Sequence, residues 1–293
     1  MNHHIQKRPD DCAKDQGETR EEPFKWRGRK HQRAACIQRP GHVGLSAPEI
    51  LAAEPEAGWV LTEDFGNDRM RDWLDLNPAD ERAAYEAAVE ALAALHRLPP
   101  GPFPAYDMAV YAREAALLTE WYCPAHGLAV DAAGYAAAWE EALAPLLVRQ
   151  NPGVTVLRDY HAENIMLLGS LQKQGLLDFQ DALNGHRAYD LVSLLQDARR
   201  DVPPEREAEM FNRYVAASGL PAEEFLGDYA VLGAQRNTKI VGIFVRLWKR
   251  DGKPRYLADV PRFFSYIEAV IVRRPELAEL QALFSSLRAG ATA

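Results

Sequence analysis

The chain has 293 residues, of which 47% are hydrophobic and 26% are charged, and its net charge at pH 7 is −8. This composition is ordinary for a globular protein of one large domain or two lobes, and the negative charge argues against nucleic-acid binding. No apolar run approaches the roughly 18 residues of a membrane helix, and the charged residues Arg8, Asp10 and Asp11 do not fit an export signal. We therefore expect a cytoplasmic enzyme with neither a nucleic-acid nor a membrane partner.

The N-terminal part of the chain differs from the rest. Residues 1–44 hold four of the eight lysines and four of the eight histidines, and they show neither the helical nor the strand period of apolar residues. We interpret them as loop or poorly ordered chain. Order is expected from about Ala47, with an extended piece at 48–53 and a β-prone run at 59–62, which Glu63-Asp64-Phe65-Gly66 ends.

Most of the sequence from residue 67 onward predicts helices. Asn77 and Pro78 form an N-cap and N1 pair, and the apolar stripe that follows consists of Tyr85, Ala88, Val89, Leu92 and Leu95. Further helices are predicted from about Asp131, from Pro203-Pro204 to Gly219, and from about Asp228 to Arg250, with two more in 259–288.

Three short β-prone runs interrupt the helices, at 154–157, 165–168 and 176–177. If the second and third form a hairpin with Leu168 opposite Gly175, Ile165 lies opposite Asp178. Asn164 and Asp178 then lie at the same open end of that hairpin.

The polar residues at this end suit phosphoryl transfer. An amide oxygen and a carboxylate, from Asn164 and Asp178, are ligands for Mg²⁺, which takes few protein ligands and completes its shell with water and nucleotide phosphates. Asp159, on the loop just before, can orient an acceptor hydroxyl and accept its proton. Asp159 could instead be a turn residue and Asn164 a structural one, because both residue types favour turns.

The run Asp159-x-x-x-x-Asn164 followed by Asp178-Phe179 resembles the catalytic and metal-binding loops of the protein-kinase-like fold. The stretch from Leu176 to Leu195 resembles the aminoglycoside phosphotransferase and choline kinase family. Within that family, the segments 158–164, 178–200 and 236–244 most resemble the bacterial anomeric kinases of N-acetylmuramate and N-acetylglucosamine. The resemblance covers roughly residues 47–275.

This resemblance implies an α+β, protein-kinase-like bilobal fold with a large, mainly helical C-terminal lobe. The small N-terminal lobe of the family is expected to be truncated in this chain, because its features are not found in 1–46. Residues 1–46 would be an atypical segment, residues 47–66 the remnant of the N-lobe with its hinge, and residues 67–293 the helical C-lobe. The family's glycine- or serine-rich turn over the phosphates is not found in 1–46.

The resemblance also implies ATP and Mg²⁺ as cofactors and specific residue roles. Asp159 would be the catalytic base, Asn164 and Asp178 the metal ligands, and the backbone of Glu63–Phe65 the contact with adenine. The remaining candidates fall into two groups. Gln180, Asp181, Arg236 and Lys239 would line or border the acceptor site, and Arg158, His161 and Asp190 would support the catalytic loop.

The leading functional hypothesis is an ATP-dependent kinase of an amino sugar, in cell-wall sugar recycling. One alternative is an aminoglycoside or choline-like kinase. The other is a catalytically impaired binding module, which the atypical N-terminus favours and the intact motif disfavours. For Arg236 and Lys239, three residues apart on one helical face, a surface role remains an equal alternative. The sequence does not predict the oligomeric state.

Overall fold

The computed structural model describes residues 4–6, 45–54, 59–272, 280–282 and 284–285, with residues 4–6 as backbone only. Small sheets and long helices make up the described residues, which confirms the predicted α+β class. No helix among these residues is long and apolar enough to cross a bilayer. The other residues of 1–46, and the predicted helix break near Pro275, lie outside the described ranges.

A three-stranded antiparallel sheet precedes the first helix. Its strands are β1 (His4–Gln6), β3 (Ile50–Glu54) and β4 (Trp59–Thr62), in the order β1-β4-β3. The predicted run at 59–62 is confirmed. The prediction of loop or poorly ordered chain for residues 1–44 is wrong for His4–Gln6, which pair with Val60–Thr62.

A second sheet joins β2 (Leu45–Ser46) to the hairpin of β6 (Ile165–Ser170) and β7 (Lys173–Leu176), in the order β2-β7-β6. In the hairpin Ile165 pairs with Leu176 and Met166 with Gly175, so the predicted register is wrong by two residues. The register then shifts between Leu167 and Ser170, and beyond this irregularity the strands continue as far as the polar pair Ser170 and Lys173. A separate pair consists of β5 (Val154–Val156) and β8 (Leu183–Gly185).

Helices form most of the rest of the described chain. They are α1 (Met70–Leu76), α2 (Glu81–Leu95), α3 (Met108–Ala115), α4 (Ala132–Gln150), α5 (Ala188–Leu195), α6 (Pro204–Ser218), α7 (Ala222–Asp251) and α8 (Val260–Ile271). Shorter turns lie at Pro78–Asp80, Leu118–Tyr122, Cys123–Ala125 and Pro254–Asp259, and residues 280–282 and 284–285 are also helical.

The predicted helix ends are mostly right. Asp131 caps α4 through its carboxylate, and Gly219 and Gly252 end α6 and α7 in the left-handed conformation. Asn77 is the N-cap residue of the turn Pro78–Asp80 that leads into α2, as predicted, but its side chain makes no hydrogen bond to that turn. The side chain donates instead to the Trp73 carbonyl at 2.9 Å, at the end of α1.

The core lies among the helices and against the second sheet. All five predicted stripe residues of α2 are buried. Helix α7 runs through this core and begins six residues earlier than predicted, at Ala222. A Cβ on Gly242 of α7 would lie 2.4 Å from the Leu117 backbone, so glycine permits the close approach of that segment.

Candidate active site

The loop of residues 157–164 connects β5 to β6 and carries Asp159, whose side chain is exposed. Beneath it, the Asp190 carboxylate is fully buried and accepts hydrogen bonds from the backbone N–H groups of Leu157 at 2.6 Å and Arg158 at 2.8 Å. Arg158 has a φ of +73°, a conformation that is costly for a residue with a Cβ. The two hydrogen bonds that Asp190 accepts therefore hold a strained turn immediately before Asp159.

Burial raises the pKa of Asp190 to about 7, and the two backbone donors oppose that rise. Both oxygens of this carboxylate are used within the loop. Its geometry suits a support for the loop rather than a group that contacts a ligand.

Asn164 and Asp178 meet at the open end of the β6–β7 hairpin. The Leu177 N–H donates to the Asn164 carbonyl at 2.9 Å, which places Asp178 next to that pair. The Asn164 amide nitrogen donates to the Asp159 carbonyl at 3.0 Å, so the amide orientation is tied to the Asp159 backbone. Asp178 is exposed, has a φ of +56°, and accepts a hydrogen bond from the Gln180 side chain.

These two residues fit a magnesium ion by donor chemistry. With the Asn164 nitrogen engaged, the amide oxygen is the atom left to coordinate, and the Asp178 carboxylate supplies anionic oxygen. Within the described residues no cluster of three or more His, Cys, Asp or Glu could hold a metal. Two oxygen ligands beside open solvent match an ion that keeps water and phosphate in its shell.

The segment expected to meet adenine follows β4. Glu63 is exposed, its N–H donates to the Glu49 carbonyl at 2.8 Å, and its carboxylate accepts from the Glu49 N–H at 3.2 Å. The Phe65 ring covers Gly175 of β7, where an added Cβ would lie 2.4 Å from a ring carbon. This ring thus fixes the segment against the hairpin that ends in Asp178.

His161 lies buried inside the catalytic loop. Burial, with the Arg199 and Arg236 charges as smaller causes, lowers its pKa to about 2. The neutral ring accepts a hydrogen bond from Arg199 through Nε2, at 2.7 Å. A second Arg199 nitrogen contacts the Glu163 carboxylate at 2.9 Å. This arrangement agrees with the expected structural role of His161, and it adds Arg199 as a further residue that supports the loop.

Glu114 of α3 is a buried carboxylate that the sequence analysis missed. It accepts hydrogen bonds from the Arg158 guanidinium, the Tyr106 hydroxyl and the Lys239 ammonium, the last at 2.9 Å. These cations, with the Tyr106 bond, outweigh burial and lower the pKa of Glu114. Its place on the apolar stripe of α3, three residues after the buried Tyr111, is the sequence signal that could have revealed it.

The four residues expected at the acceptor site have different surroundings. Asp181 is exposed and Gln180 half-buried, and both follow Asp178 directly. Lys239 lies beside Glu114, and its ammonium also donates to the Tyr189 hydroxyl at 3.1 Å.

Arg236 does not reach an open surface, since it is 4% exposed. It donates to the Ser193 hydroxyl at 2.8 Å, and that hydroxyl donates to the Arg158 carbonyl at 3.4 Å. Arg236 therefore lies beneath the catalytic loop and not at the acceptor site where it was expected. The surface alternative for Arg236 and Lys239 is wrong, because neither side chain is exposed.

The chain matches a known protein family over a range that includes the candidate site. A family model described as phosphotransferase enzyme family (APH) matches residues 21–229. The matched range begins upstream of Ala47, where the sequence resemblance was expected to start, and it contains Asp159, Asn164, Asp178 and Asp190.

Curated proteins match over most of the chain. An N-acetylmuramate/N-acetylglucosamine kinase of Pseudomonas aeruginosa is 43% identical over 262 residues, covering 86% of this chain and 76% of the relative. Proteins of the same name from Caulobacter vibrioides and Pseudomonas putida are 40% and 38% identical. Those matches cover 88% and 92% of this chain and 74% and 86% of the relatives.

Solved structures share the fold at low identity. A choline/ethanolamine kinase family protein from Mesorhizobium loti has a TM-score of 0.57 at 16% identity, covering 90% of this chain and 83% of that chain. The ADP-bound aminoglycoside phosphotransferase APH(2'')-Ib has a TM-score of 0.55 at 13% identity, covering 81% and 80%. The predicted kinase-like bilobal fold, with its mainly helical C-lobe, is confirmed.

Proposed function

This chain belongs to the phosphotransferase enzyme family and is a kinase, and from that premise we propose that it uses ATP and Mg²⁺ to phosphorylate an amino sugar. The proposed acceptor is the anomeric hydroxyl of N-acetylmuramate or N-acetylglucosamine. The observation that carries the proposal is the shared name of relatives 35–43% identical over most of the chain. A cytoplasmic location remains a prediction.

In the proposed reaction the anomeric oxygen forms a bond to the γ-phosphorus of ATP, and the bond between that phosphorus and the β,γ-bridging oxygen breaks. The hydroxyl proton passes to the exposed Asp159 carboxylate, and ADP leaves. Asp190 supports this role by holding the two backbone N–H groups that precede Asp159. The products are the sugar 1-phosphate and ADP.

Asn164 and Asp178 would hold Mg²⁺, which supplies positive charge to neutralise the phosphates. The hydrogen bond from the Asn164 amide to the Asp159 carbonyl connects this proposed metal ligand to the backbone of the proposed base. The Glu63–Phe65 backbone would meet the adenine, and the contact of the Phe65 ring with β7 supports that placement. Gln180, Asp181 and Lys239 would border the sugar.

A substrate panel tests this function. The full chain is incubated with Mg²⁺ and ATP, and each of N-acetylmuramate, N-acetylglucosamine, kanamycin, choline and homoserine is offered in turn. Formation of ADP and a sugar 1-phosphate, identified by ³¹P NMR, is expected with the two amino sugars. A preference for kanamycin or choline would refute the proposed substrate, and binding of a sugar without any turnover would favour the binding-module alternative.

A further inference from the structure

Two cations share one carboxylate next to the catalytic loop. Arg158 and Lys239 both donate to Glu114, through the same oxygen, while the Tyr106 hydroxyl occupies the other oxygen. All three ionisable groups are held in their charged forms: the pKa of Glu114 is lowered, and those of Arg158 and Lys239 are raised. Arg158, Lys239 and Glu114 together therefore carry one positive charge in excess of the negative charge.

The Arg158 member of this group lies close to both loops of the proposed active site. Arg158 is the chain neighbour of Asp159, and its second terminal nitrogen lies 3.5 Å from the Asp181 carbonyl, in the loop that follows Asp178. We expect an acceptor whose hydroxyl meets Asp159 to enter between these loops, because Asp159, Asp178 and Asp181 are all exposed. A long arginine side chain reaches well away from its own backbone, so its charge acts on a part of the acceptor distant from the reacting hydroxyl.

The exposure of the two cations suits a binding role. The Arg158 side chain is 24% exposed and the Lys239 side chain 13% exposed. Both side chains are thus partly exposed, and water screens their charges far less than it screens the charge of a surface lysine. A buried cation in excess of its carboxylates favours an anionic partner that restores charge balance.

We propose that Arg158 and Lys239, with their joint charge set by Glu114, form a subsite that favours a carboxylate-bearing acceptor over its neutral counterpart. The proposal rests on the proposed sugar kinase function and assigns its specificity. N-acetylmuramate differs from N-acetylglucosamine by a lactyl ether that ends in a carboxylate, so these sugars form a matched pair with and without the anion. Glu114 is then a specificity residue that limits the positive charge to one.

The proposed subsite predicts opposite effects for two substitutions. Lys239→Met removes the surplus charge and leaves Glu114 paired with Arg158 and Tyr106, so the fold should be retained. It should weaken N-acetylmuramate binding about tenfold, the size of one charge-assisted hydrogen bond, and N-acetylglucosamine binding less than about twofold. Glu114→Gln raises the surplus to two charges and should increase the preference for N-acetylmuramate.

The experiment is calorimetric titration of each sugar into the full chain and its variants, at low and moderate salt. Arg113→Gln is the matched control, since Arg113 is an exposed cation on the same helix and next to Glu114; it should leave both affinities unchanged. Salt should weaken the binding of N-acetylmuramate alone. If Glu114→Gln does not fold, Lys239→Met still decides the question.

Equal weakening of both sugars by Lys239→Met would overturn the subsite and give Lys239 a purely positioning role. Equal affinity of the unmodified protein for the two sugars would also overturn it. Both results leave the proposed function intact if sugar 1-phosphate still forms. Absence of both binding and turnover with either sugar would instead refute the proposed function, and the subsite with it.

Discussion

Residues of β3 and β4 are all exposed or partly buried, whereas all three residues of β5 are buried. The same contrast separates the segments that follow these strands. Glu63–Phe65 is held by backbone pairing and one aromatic ring, but the loop of Asp159 is held from below by buried Asp190, Glu114 and Ser193. The structure thus anchors the proposed chemistry far more firmly than the proposed nucleotide contact.

The largest effect is expected from Asp178→Asn, which removes the anionic metal ligand. Asn is chosen because it tolerates the φ of +56° at this position better than Ala does. We expect kcat to fall about 10³-fold or more, since metal-based charge stabilisation contributes several kcal/mol. The melting temperature should stay near that of the unmodified protein.

Asp201→Asn is the matched control for this measurement, because Asp201 is 80% exposed and lies outside the site. It should change neither kcat nor melting temperature. Steady-state kinetics at saturating Mg²⁺ decide the matter. An Asp178→Asn variant with normal kcat would remove Asp178 from the proposed metal site.

The next effect, on stability as well as rate, is expected from Asp190→Ala. It leaves the backbone N–H groups of Leu157 and Arg158 without their acceptor. The free energy of unfolding should fall by about 2–4 kcal/mol, the cost of two unsatisfied donors, one of them in the core. Urea denaturation measures this loss, and kcat should fall with it. Unchanged stability would show that other groups support the strained turn.

A smaller effect is expected from the buried histidine in the loop. His161 has a pKa of about 2 in the native protein, and a histidine in the unfolded chain titrates near 6.5. Below pH 6.5 the unfolded state therefore binds a proton that the native state does not. Stability due to His161 is retained above pH 6.5 and falls by up to about 1.4 kcal/mol per pH unit below it.

Replacement by Gln should reduce this acid sensitivity, because Gln can accept the Arg199 hydrogen bond without titrating. Urea unfolding at pH 7.5, 6.5 and 5.5 should give a shallower decline for His161→Gln than for the unmodified protein. His126→Gln, at an exposed histidine, is the control and should change the slope less. Identical slopes for all three proteins would contradict the burial account.

The smallest effect is expected at the nucleotide segment. Phe65→Ala removes the ring that contacts β7, and Gly175→Ala displaces it, because an added Cβ would lie 2.4 Å from a ring carbon. Each should raise KM for ATP several-fold, the equivalent of about 1 kcal/mol, with kcat nearly unchanged. If kcat fell as steeply as in Asp178→Asn, the two regions would not differ as proposed.

The relative positions of residues close in sequence were predictable, because local spacing determines where such residues lie. Asp159, Asn164 and Asp178 lie on one hairpin and its preceding loop, so the strand pattern alone brought them together. The hairpin register was not predictable in this way. Gly169 takes a φ of +77° within an irregular stretch, and the strands continue past it into Ser170 and Lys173, which no apolar alternation marks.

The supports beneath the loop were harder to predict because their partners are far apart in sequence. Glu114 bonds Arg158 and Lys239 across 44 and 125 residues, and no local period predicts such a meeting. Arg236 was placed at the acceptor surface because its helix face alone does not reveal its burial. The strand His4–Gln6 was missed because three residues are too few to show an alternation.

The most direct test of the central claim is the effect of Asp159→Asn on transfer to N-acetylmuramate. The change keeps the size of the side chain and removes its capacity to accept the hydroxyl proton. We predict that kcat falls about 10²–10⁴-fold, while the affinity for the sugar, measured by calorimetry, changes less than about twofold. A variant whose kcat stays within about threefold of the unmodified protein would contradict the assignment of Asp159 as the base.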